Sequence, residues 1–290
     1  MNIAGKYKMW FTISLVIFLI GAGVIFTKGF NLGIDFTGGT MMQIEIGNTI
    51  SVEEAKEVIA EFNLNPEILH AGVEKTEIII KTKESLNNAE RMTVMNKVIE
   101  TYNLDSKTAI RAADQFGPTI GSEIRNKAMI SILVAAISML VYITFRFEFV
   151  FGISAIIALL HDVLFLLTIY AVFRIPVNSS FIAAVLTIVG YSINDTIVVF
   201  DRVRENVKVT KVKSYFDVAD LSLKQTIIRS INTSLTTALV IGSLYFLGVE
   251  AIKEFAMPLL AGILVGTYSS IFIASPVWAL IKTNLKVKNA

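Results

Sequence analysis

SFIAAVLTIVGYSINDTIVVF, Ser180 to Phe200, is long and apolar enough to cross a bilayer, and its second half carries an aspartate, Asp195. About 20 apolar residues, each rising about 1.5 Å along a helix, span the roughly 30 Å of hydrocarbon. An aspartate at the centre of a membrane helix costs about 2.5 kcal/mol or more, so it usually faces the bundle interior and has a function or a partner. The segment predicts a membrane-spanning helix with a candidate functional residue.

The composition of the whole chain is that of a polytopic membrane protein. Of its 290 residues, 54% are hydrophobic and only 17% are charged. The first apolar run is longer than the h-region of a signal peptide and no Ala-x-Ala-like site follows it, so we expect an uncleaved anchor. The predicted spans are Trp10 to Phe26, Ala128 to Phe145, Phe149 to Phe173, Ser180 to Phe200, Ile231 to Leu247 and Phe255 to Ile281.

Several kinds of chemistry have no residues to support them. The chain has no cysteine, which excludes disulfides and thiolate metal sites, and its two histidines, His70 and His161, are too few for a histidine-built metal site. It also has no GxxxxGK[ST] phosphate loop, so it has no recognisable site of that type for ATP hydrolysis. We expect no metal, no cofactor and no catalytic residue, and an energy supply from an ion gradient or a partner.

Basic residues of the short loops and ends lie almost entirely on one side of the membrane if the six predicted spans alternate. Only Arg174 and Lys253 occupy short loops on the other side. The positive-inside rule therefore predicts cytoplasmic termini. The basic residues on the cytoplasmic side are Lys6, Lys8, Arg146, Arg202, Arg204, Lys208, Lys211, Lys213, Lys224, Lys282, Lys286 and Lys288.

This topology divides the chain into three parts. Residues 1–30 form the cytoplasmic N-terminus and first span, and residues 31–126 form an extracytoplasmic domain. Residues 127–290 form spans two to six, with a cytoplasmic loop over residues 201–229 and a cytoplasmic C-terminus.

The extracytoplasmic segment has the pattern of a small α+β domain. Met42, Ile44 and Ile46 alternate with polar residues as in a half-buried strand, and Ser51 with Glu54 predicts the start of a helix. The resulting order, β-α-β-β-α-β, predicts a ferredoxin-like fold. The later elements are predicted as strands Ile68 to Val73 and Thr76 to Lys83, helix Ala89 to Tyr102 and strand Lys107 to Phe116.

The motif GIDFTGG follows the first span. Its glycines permit a turn with positive φ, and its short acid can accept hydrogen bonds from free amides. We predict a hinge that seats the domain on the membrane, with direct ligand binding as the alternative. The hinge residues are Gly33, Asp35, Phe36, Gly38 and Gly39.

Asp195 has a candidate partner at the same predicted depth. Arg229 lies near the start of the fifth span, and the two helices run in opposite directions. Burial favours the neutral acid while a nearby guanidinium favours the carboxylate, so movement of Arg229 would switch the proton affinity of Asp195. The alternative is a static ion pair that joins two helices. His161 and Asp162 in the third span are buried ionisable residues too, and their role is either functional or structural.

Five motifs together resemble the SecF subunits of the SecD/SecF family of bacterial protein export, within the RND-type superfamily, and the likeness covers essentially the whole chain. They are GIDFTGG after the first span, FGPTIGSEIRNKA entering the second, HDV in the third, GYSINDTIVVFDRVREN in the fourth, and the sequence from QTIIRSINTSLTT to GTYSSIFIASPVW.

The resemblance implies a role for particular residues. In that family the acid of the Asn-Asp pair and the arginine of the fifth span are tied to proton passage, and they correspond here to Asp195 and Arg229. Asn194, Gly190 and His161 are expected to support them. Many members have Arg-Thr where this chain has Arg229-Ser230, which keeps a hydroxyl.

The resemblance also implies partners and a place in the cell. These are SecD as a separate chain, the SecYEG channel, a translocating preprotein and the lipid bilayer of the bacterial cytoplasmic membrane, with no nucleic acid and no bond-breaking reaction. The coupling ion is a proton or sodium. Two alternatives stay open, namely half of an RND-type exporter of lipids or small molecules, and an intramembrane aspartyl protease using Asp162 and Asp195.

Overall fold

The computed structural model describes residues 2–72, 74–209 and 214–288 of the chain. A π-helical turn, Ser270–Ala274, joins the last two helices into one continuous span. In chain order the elements are α1 (Tyr7–Lys28), α2 (Ile34–Thr37), β1 (Gly39–Glu45), α3 (Val52–Ile59), β2 (Glu67–Ala71), β3 (Glu77–Thr82), α4 (Asn88–Thr101), α5 (Ser106–Ala109), β4 (Ile110–Phe116), α6 (Pro118–Arg146), α7 (Phe149–Val172), α8 (Ser179–Val209), α9 (Tyr215–Leu247), α10 (Glu250–Ser269) and α11 (Ser275–Lys288).

Six helices of the described part are long and apolar enough to cross a membrane, as predicted, and the chain is a multi-pass membrane protein. The fourth and fifth run past their predicted ends, because α8 continues to Val209 and α9 begins at Tyr215. Most of the predicted loop over residues 201–229 is therefore helical. Lys211 and Lys213, counted above on the cytoplasmic side, lie outside the described residues.

The segment between α1 and α6 contains a four-stranded antiparallel sheet in the order β2-β3-β1-β4. Met42 pairs with Ile80 on one side and with Ala113 on the other. Met42, Ile44 and Ile80 are fully buried, and residues of α3 and α4 join them in one apolar core. The alternation predicted for β1 is confirmed.

Helix caps determine where several elements of this domain begin. The Ser51 hydroxyl accepts from the Glu54 amide at the start of α3, and Asn87 and Glu90 form a complete capping box at the start of α4. The Asp105 side chain accepts from the Lys107 amide, which starts the short helix α5. The last strand consequently begins at Ile110 rather than at the predicted Lys107. Val73, predicted as the end of a strand, lies outside the described residues.

Helices α7, α8 and α10 form the buried part of the membrane bundle, whereas α1, α6 and α9 lie mainly at its periphery. Gly262 and Gly266 of α10 face α8. A Cβ atom on Gly262 would lie 2.2 Å from Ile188 Cδ1, and one on Gly266 would lie 3.0 Å from Ser192 Cβ. Small residues allow such close approach of membrane helices. They hold α10 against the part of α8 that carries Asp195.

Candidate functional site

Asp195 lies inside the bundle, as the sequence predicts, with a side chain only 6% exposed. Its Oδ2 atom is buried and has no hydrogen-bond partner among the described residues, and the same holds for the neighbouring Ser230 Oγ on α9. Ser230, Ser270 and Arg229 are the groups that surround the carboxyl. Asp195 is therefore a buried acid with an unused acceptor, beside hydroxyl groups from two other elements.

The predicted ion pair between Asp195 and Arg229 is not formed in this conformation. No salt bridge within 4.0 Å joins these two described residues, and Arg229 is exposed while Ser230 is fully buried. Consecutive residues of an α-helix point about 100° apart. When α9 buries Ser230 inside the bundle, Arg229 therefore points toward the exposed side of α9. The guanidinium therefore makes neither a hydrogen bond nor an ion pair with Asp195 in the part of the chain that the structure describes.

Asp162 belongs to a hydrogen-bonded chain across three helices. Ser192 Oγ donates to Asp162 Oδ2 at 2.6 Å, and His161 Nδ1 lies 3.3 Å from Asp162 Oδ1. His161 Nε2 lies 2.9 Å from Ser14 Oγ on α1. All of these side chains are buried. The chain Ser14, His161, Asp162, Ser192 satisfies both carboxylate oxygens, in contrast to Asp195.

A series of hydroxyl groups links the residues around Asp162 with the residues around Asp195. Thr196 Oγ1 lies 2.8 Å from Ser270 Oγ, and Ser270 Oγ lies 3.5 Å from the Ser192 carbonyl oxygen. Ser192 therefore contacts Asp162 with its side chain, and Ser270 lies beside Asp195. This arrangement gives the buried core a set of groups that can hold and pass on a proton or surround a small cation.

Sequence reasoning did not assign these hydroxyl residues to the site. Ser192 and Thr196 lie on α8 three residues before and one residue after Asp195, and both are buried. Their position beside an intramembrane acid is a usable signal, because hydroxyl groups near such an acid supply hydrogen bonds that lipid cannot. Ser14 and Ser270 are separated from Asp195 by long stretches of sequence, so only the fold brings them in.

Asn194 and Gly190 lie on the opposite face of α8 from this core. Both are exposed, and no atom lies within 4 Å of a Cβ added to Gly190. They face outward from the bundle together with Thr187, one or two turns away on the same helix. Their predicted supporting role is therefore not one of direct contact with Asp195.

The predicted hinge motif connects α8 to the sheet domain, which is the unit formed by strands β1 to β4 and helices α3 to α5. Asp35 Oδ2 accepts from the amide of Ser179, the first residue of α8, at 2.8 Å. The Gly33 amide donates to the Val177 carbonyl at 2.8 Å, and Phe36 is buried. Gly38 and Gly39 have φ of 79° and 147°, and a Cβ on Gly39 would lie 2.2 Å from the Thr82 carbonyl oxygen. Only glycine fits this position without strain.

Two family models match the chain. The model described as "Protein export membrane protein SecD/SecF, C-terminal" matches residues 94–284, and the model "SecD/SecF GG Motif" matches residues 23–50. The first match includes Asp162, Asp195 and Arg229, and the second includes the hinge motif.

Relatives and solved structures agree with these matches. The chain is 39% identical to protein translocase subunit SecF of Calditerrivibrio nitroreducens, over 96% of this chain and 93% of the relative. It is 34% identical to protein translocase subunit SecDF of Bacillus subtilis, over 96% of this chain but 37% of that protein. The crystal structure of SecDF from Thermus thermophilus, a translocon-associated membrane protein, superposes with a TM-score of 0.80 at 36% identity, over 98% of this chain and 39% of that one. The chain belongs to the SecD/SecF family of protein export membrane proteins.

Proposed function

We propose that this chain is the SecF-type half of a SecD–SecF pair, and that it uses a proton or sodium gradient to assist a late step of Sec-dependent protein translocation. The names of its relatives support protein translocation as the process. The Bacillus subtilis and Thermus thermophilus relatives carry a SecDF name, and this chain covers less than half of each. A separate SecD chain would supply the part of these SecDF relatives that this chain does not cover.

The observation that carries the proposal is the unfilled hydrogen-bonding capacity of Asp195. A carboxylate oxygen that is buried without a partner costs free energy, and protonation or cation binding removes that cost. Asp162 has both oxygens satisfied, so it is the less suitable of the two acids for ion exchange. In this mechanism Asp195 takes up the ion and Asp162 keeps the surrounding hydroxyl groups in position.

In this mechanism, movement of Arg229 switches Asp195 between its protonated and ionised forms. A rotation of α9 that moves the guanidinium toward Asp195 would favour the carboxylate and release a proton, and the reverse rotation would favour uptake. Ser230 would leave the carboxyl as Arg229 approaches, because the two are neighbours on one helix. The ion cycle is thereby coupled to movement of α9 against α8.

The hinge transmits that movement to the sheet domain. Asp35 accepts a hydrogen bond from the amide of Ser179, the first residue of α8, and α8 also carries Asp195. Displacement of α8 would therefore move the segment that leads into β1. We propose that the domain is ferredoxin-like, which fits its antiparallel sheet order β2-β3-β1-β4 and the two helices in its core. It would lie outside the cytoplasm and assist a preprotein that emerges from SecYEG.

The positive-inside rule supports cytoplasmic termini in the bacterial cytoplasmic membrane. The work done is mechanical, with no bond broken in a substrate and no cofactor used.

Asp195→Asn tests the ion-coupling role. Asparagine keeps the size of the side chain but cannot exchange a proton, so we expect gradient-dependent stimulation of translocation to be lost. The measurement is preprotein translocation into membrane vesicles that carry SecYEG and SecD, with proton and sodium gradients imposed separately. Asp217→Asn, the same change at an exposed position at the start of α9, is the control and should behave as the wild type.

Two results would contradict the proposal. Full stimulation by Asp195→Asn under both gradients would remove Asp195 from ion coupling. Failure of the wild-type chain to copurify with SecD would remove the SecF-type assignment while leaving an ion-coupled role open.

A further inference from the structure

A groove opens on the outside of the membrane bundle, at the end where the sheet domain joins it. It lies between α6, α7 and α8, has a volume of about 250 Å³, and twelve of its thirteen lining residues are apolar. Its walls include Met129, Val163 and Phe181, and Phe36 of the hinge also lines it. Met129 is 64% exposed, so the groove opens toward the surrounding lipid.

The thirteenth lining residue is Arg125 of α6, which is the one charged group among the described residues that line this groove. Its side chain is exposed and makes no hydrogen bond or ion pair within the described part of the chain. Arg125 precedes the apolar run that begins at Ala128 by three residues, or about 4.5 Å along the helix axis. From this spacing we infer that its guanidinium reaches the level of the lipid headgroups. The nearby Lys127, by contrast, is paired with Glu123 at 2.7 Å.

The physics of a groove in hydrocarbon favours one kind of occupant. Lipid tails are as apolar as the groove walls, so exclusion of water supplies no driving force there. An unfilled groove nevertheless loses dispersion contacts along its walls, and a flexible hydrocarbon chain restores them. The cation at the mouth adds selectivity, because a guanidinium binds a phosphate through two parallel hydrogen bonds.

We propose that this groove binds a phospholipid of the leaflet next to the sheet domain, with one acyl chain between α6, α7 and α8 and the phosphate on Arg125. The bound chain packs against Phe36, so the lipid supports the hinge that seats the sheet domain. The site is independent of the ion-coupling role proposed for Asp195.

Photocrosslinking with two lipid probes tests the site. The full chain, with the proteins that copurify with it, is reconstituted into phosphatidylethanolamine–phosphatidylglycerol vesicles that contain a phospholipid with a diazirine on one acyl chain. Labelled residues are mapped by mass spectrometry. A diacylglycerol with the same diazirine chain, which lacks the phosphate, is the second probe.

We expect the phospholipid probe to label groove residues such as Met129 and Val163 above the lipid-facing residues of α1. Arg125→Gln should lower groove labelling about tenfold, as expected for the loss of one strong charge-assisted contact. Lys127→Gln should leave it unchanged, and the diacylglycerol probe should not respond to Arg125→Gln. Val163→Trp, which fills the groove, should remove labelling by both probes.

Three outcomes would overturn the proposal. Equal labelling of the groove and of α1 would indicate ordinary surrounding lipid. Labelling that is insensitive to Arg125→Gln would show that the phosphate is not recognised. Labelling that appears only after copurifying proteins are removed would show that a protein partner covers the groove.

Discussion

Ser192 lies between the two intramembrane acids. Its hydroxyl donates to Asp162 Oδ2 at 2.6 Å, and its carbonyl accepts from Ser270, which lies beside Asp195. Ser192→Ala would leave the buried Asp162 Oδ2 without a partner, which costs about 1–3 kcal/mol in proteins generally and about 0.6 kcal/mol on average in membrane helices. We expect a loss of about 1 kcal/mol in unfolding free energy, measured by reversible denaturation in mixed micelles. Ser243→Ala, at an exposed position of α9, is the matched control and should have no effect. An equal effect of both changes would contradict this account.

Glu67 of β2 gives the sheet domain a pH dependence. Burial raises the pKa of its carboxyl above the ordinary value of 4.5, and the nearby Glu254 adds to the shift, while Lys81 opposes it. A raised pKa means that folding disfavours the ionised form, so this cost is absent below pH 4.5 and develops as the pH rises through the folded-state pKa.

Glu67→Gln should therefore raise the melting temperature at pH 7.5 and leave it nearly unchanged at pH 4. Thermal unfolding of the full chain at both pH values checks this. Glu57→Gln on the exposed side of α3 is a control that should show no such difference. Stabilisation of equal size at both pH values would contradict the burial argument.

At the scale of elements, the contact between α8 and α10 depends on the absence of a side chain at Gly262. Gly262→Ala places a methyl group 2.2 Å from Ile188 Cδ1, and overpacking of this kind costs about 1–3 kcal/mol. We expect a lower melting temperature in detergent, and a much smaller loss when the same change is made in an Ile188→Ala background, which removes the Cδ1, Cγ1 and Cγ2 atoms that the methyl group would meet. Gly23→Ala in α1, where nothing lies within 4 Å, should not destabilise the protein. Additive losses in the double variant would contradict a direct clash.

At the scale of the whole molecule, an ion pair and a histidine hydrogen bond connect the sheet domain to the start of α10. Lys81 Nζ of β3 lies 3.0 Å from both carboxylate oxygens of Glu254, and His70 Nδ1 of β2 lies 2.9 Å from Glu250 Oε2. Lys81→Glu should repel Glu254 and loosen this contact, which is measured as faster amide hydrogen exchange in β2 and β3 and at the start of α10. The exchanged pair, Lys81→Glu with Glu254→Lys, should restore slow exchange. Equally fast exchange in both variants would assign the docking to other contacts.

Sequence predicted much of this architecture because the membrane imposes strict local requirements. Six apolar runs and the capping residues Ser51 and Glu54 are readable from neighbouring positions alone. The start of β4 was missed because the Asp105 side chain stabilises a short helix at residues that also fit a strand. The pairing of Asp195 with Arg229 was predicted from depth, but depth does not specify the rotation of a helix about its axis. The roles of Ser14 and Ser270 depend on contacts distant in sequence, which no local pattern contains.

The π-helical turn at Ser270–Ala274 has a consequence for how the family can vary. A π turn holds one residue more than an α turn, so rewinding Ser270–Ala274 as a regular α-helix without changing its length would rotate everything after it by roughly 100°. Ser270 beside Asp195 and Trp278 stacked on Phe151 could not then both keep their neighbours. We expect natural sequences of this family to accept length changes between elements of the sheet domain, and to be shorter between Gly266 and Trp278 only by the one residue whose loss converts the π turn into a regular helix.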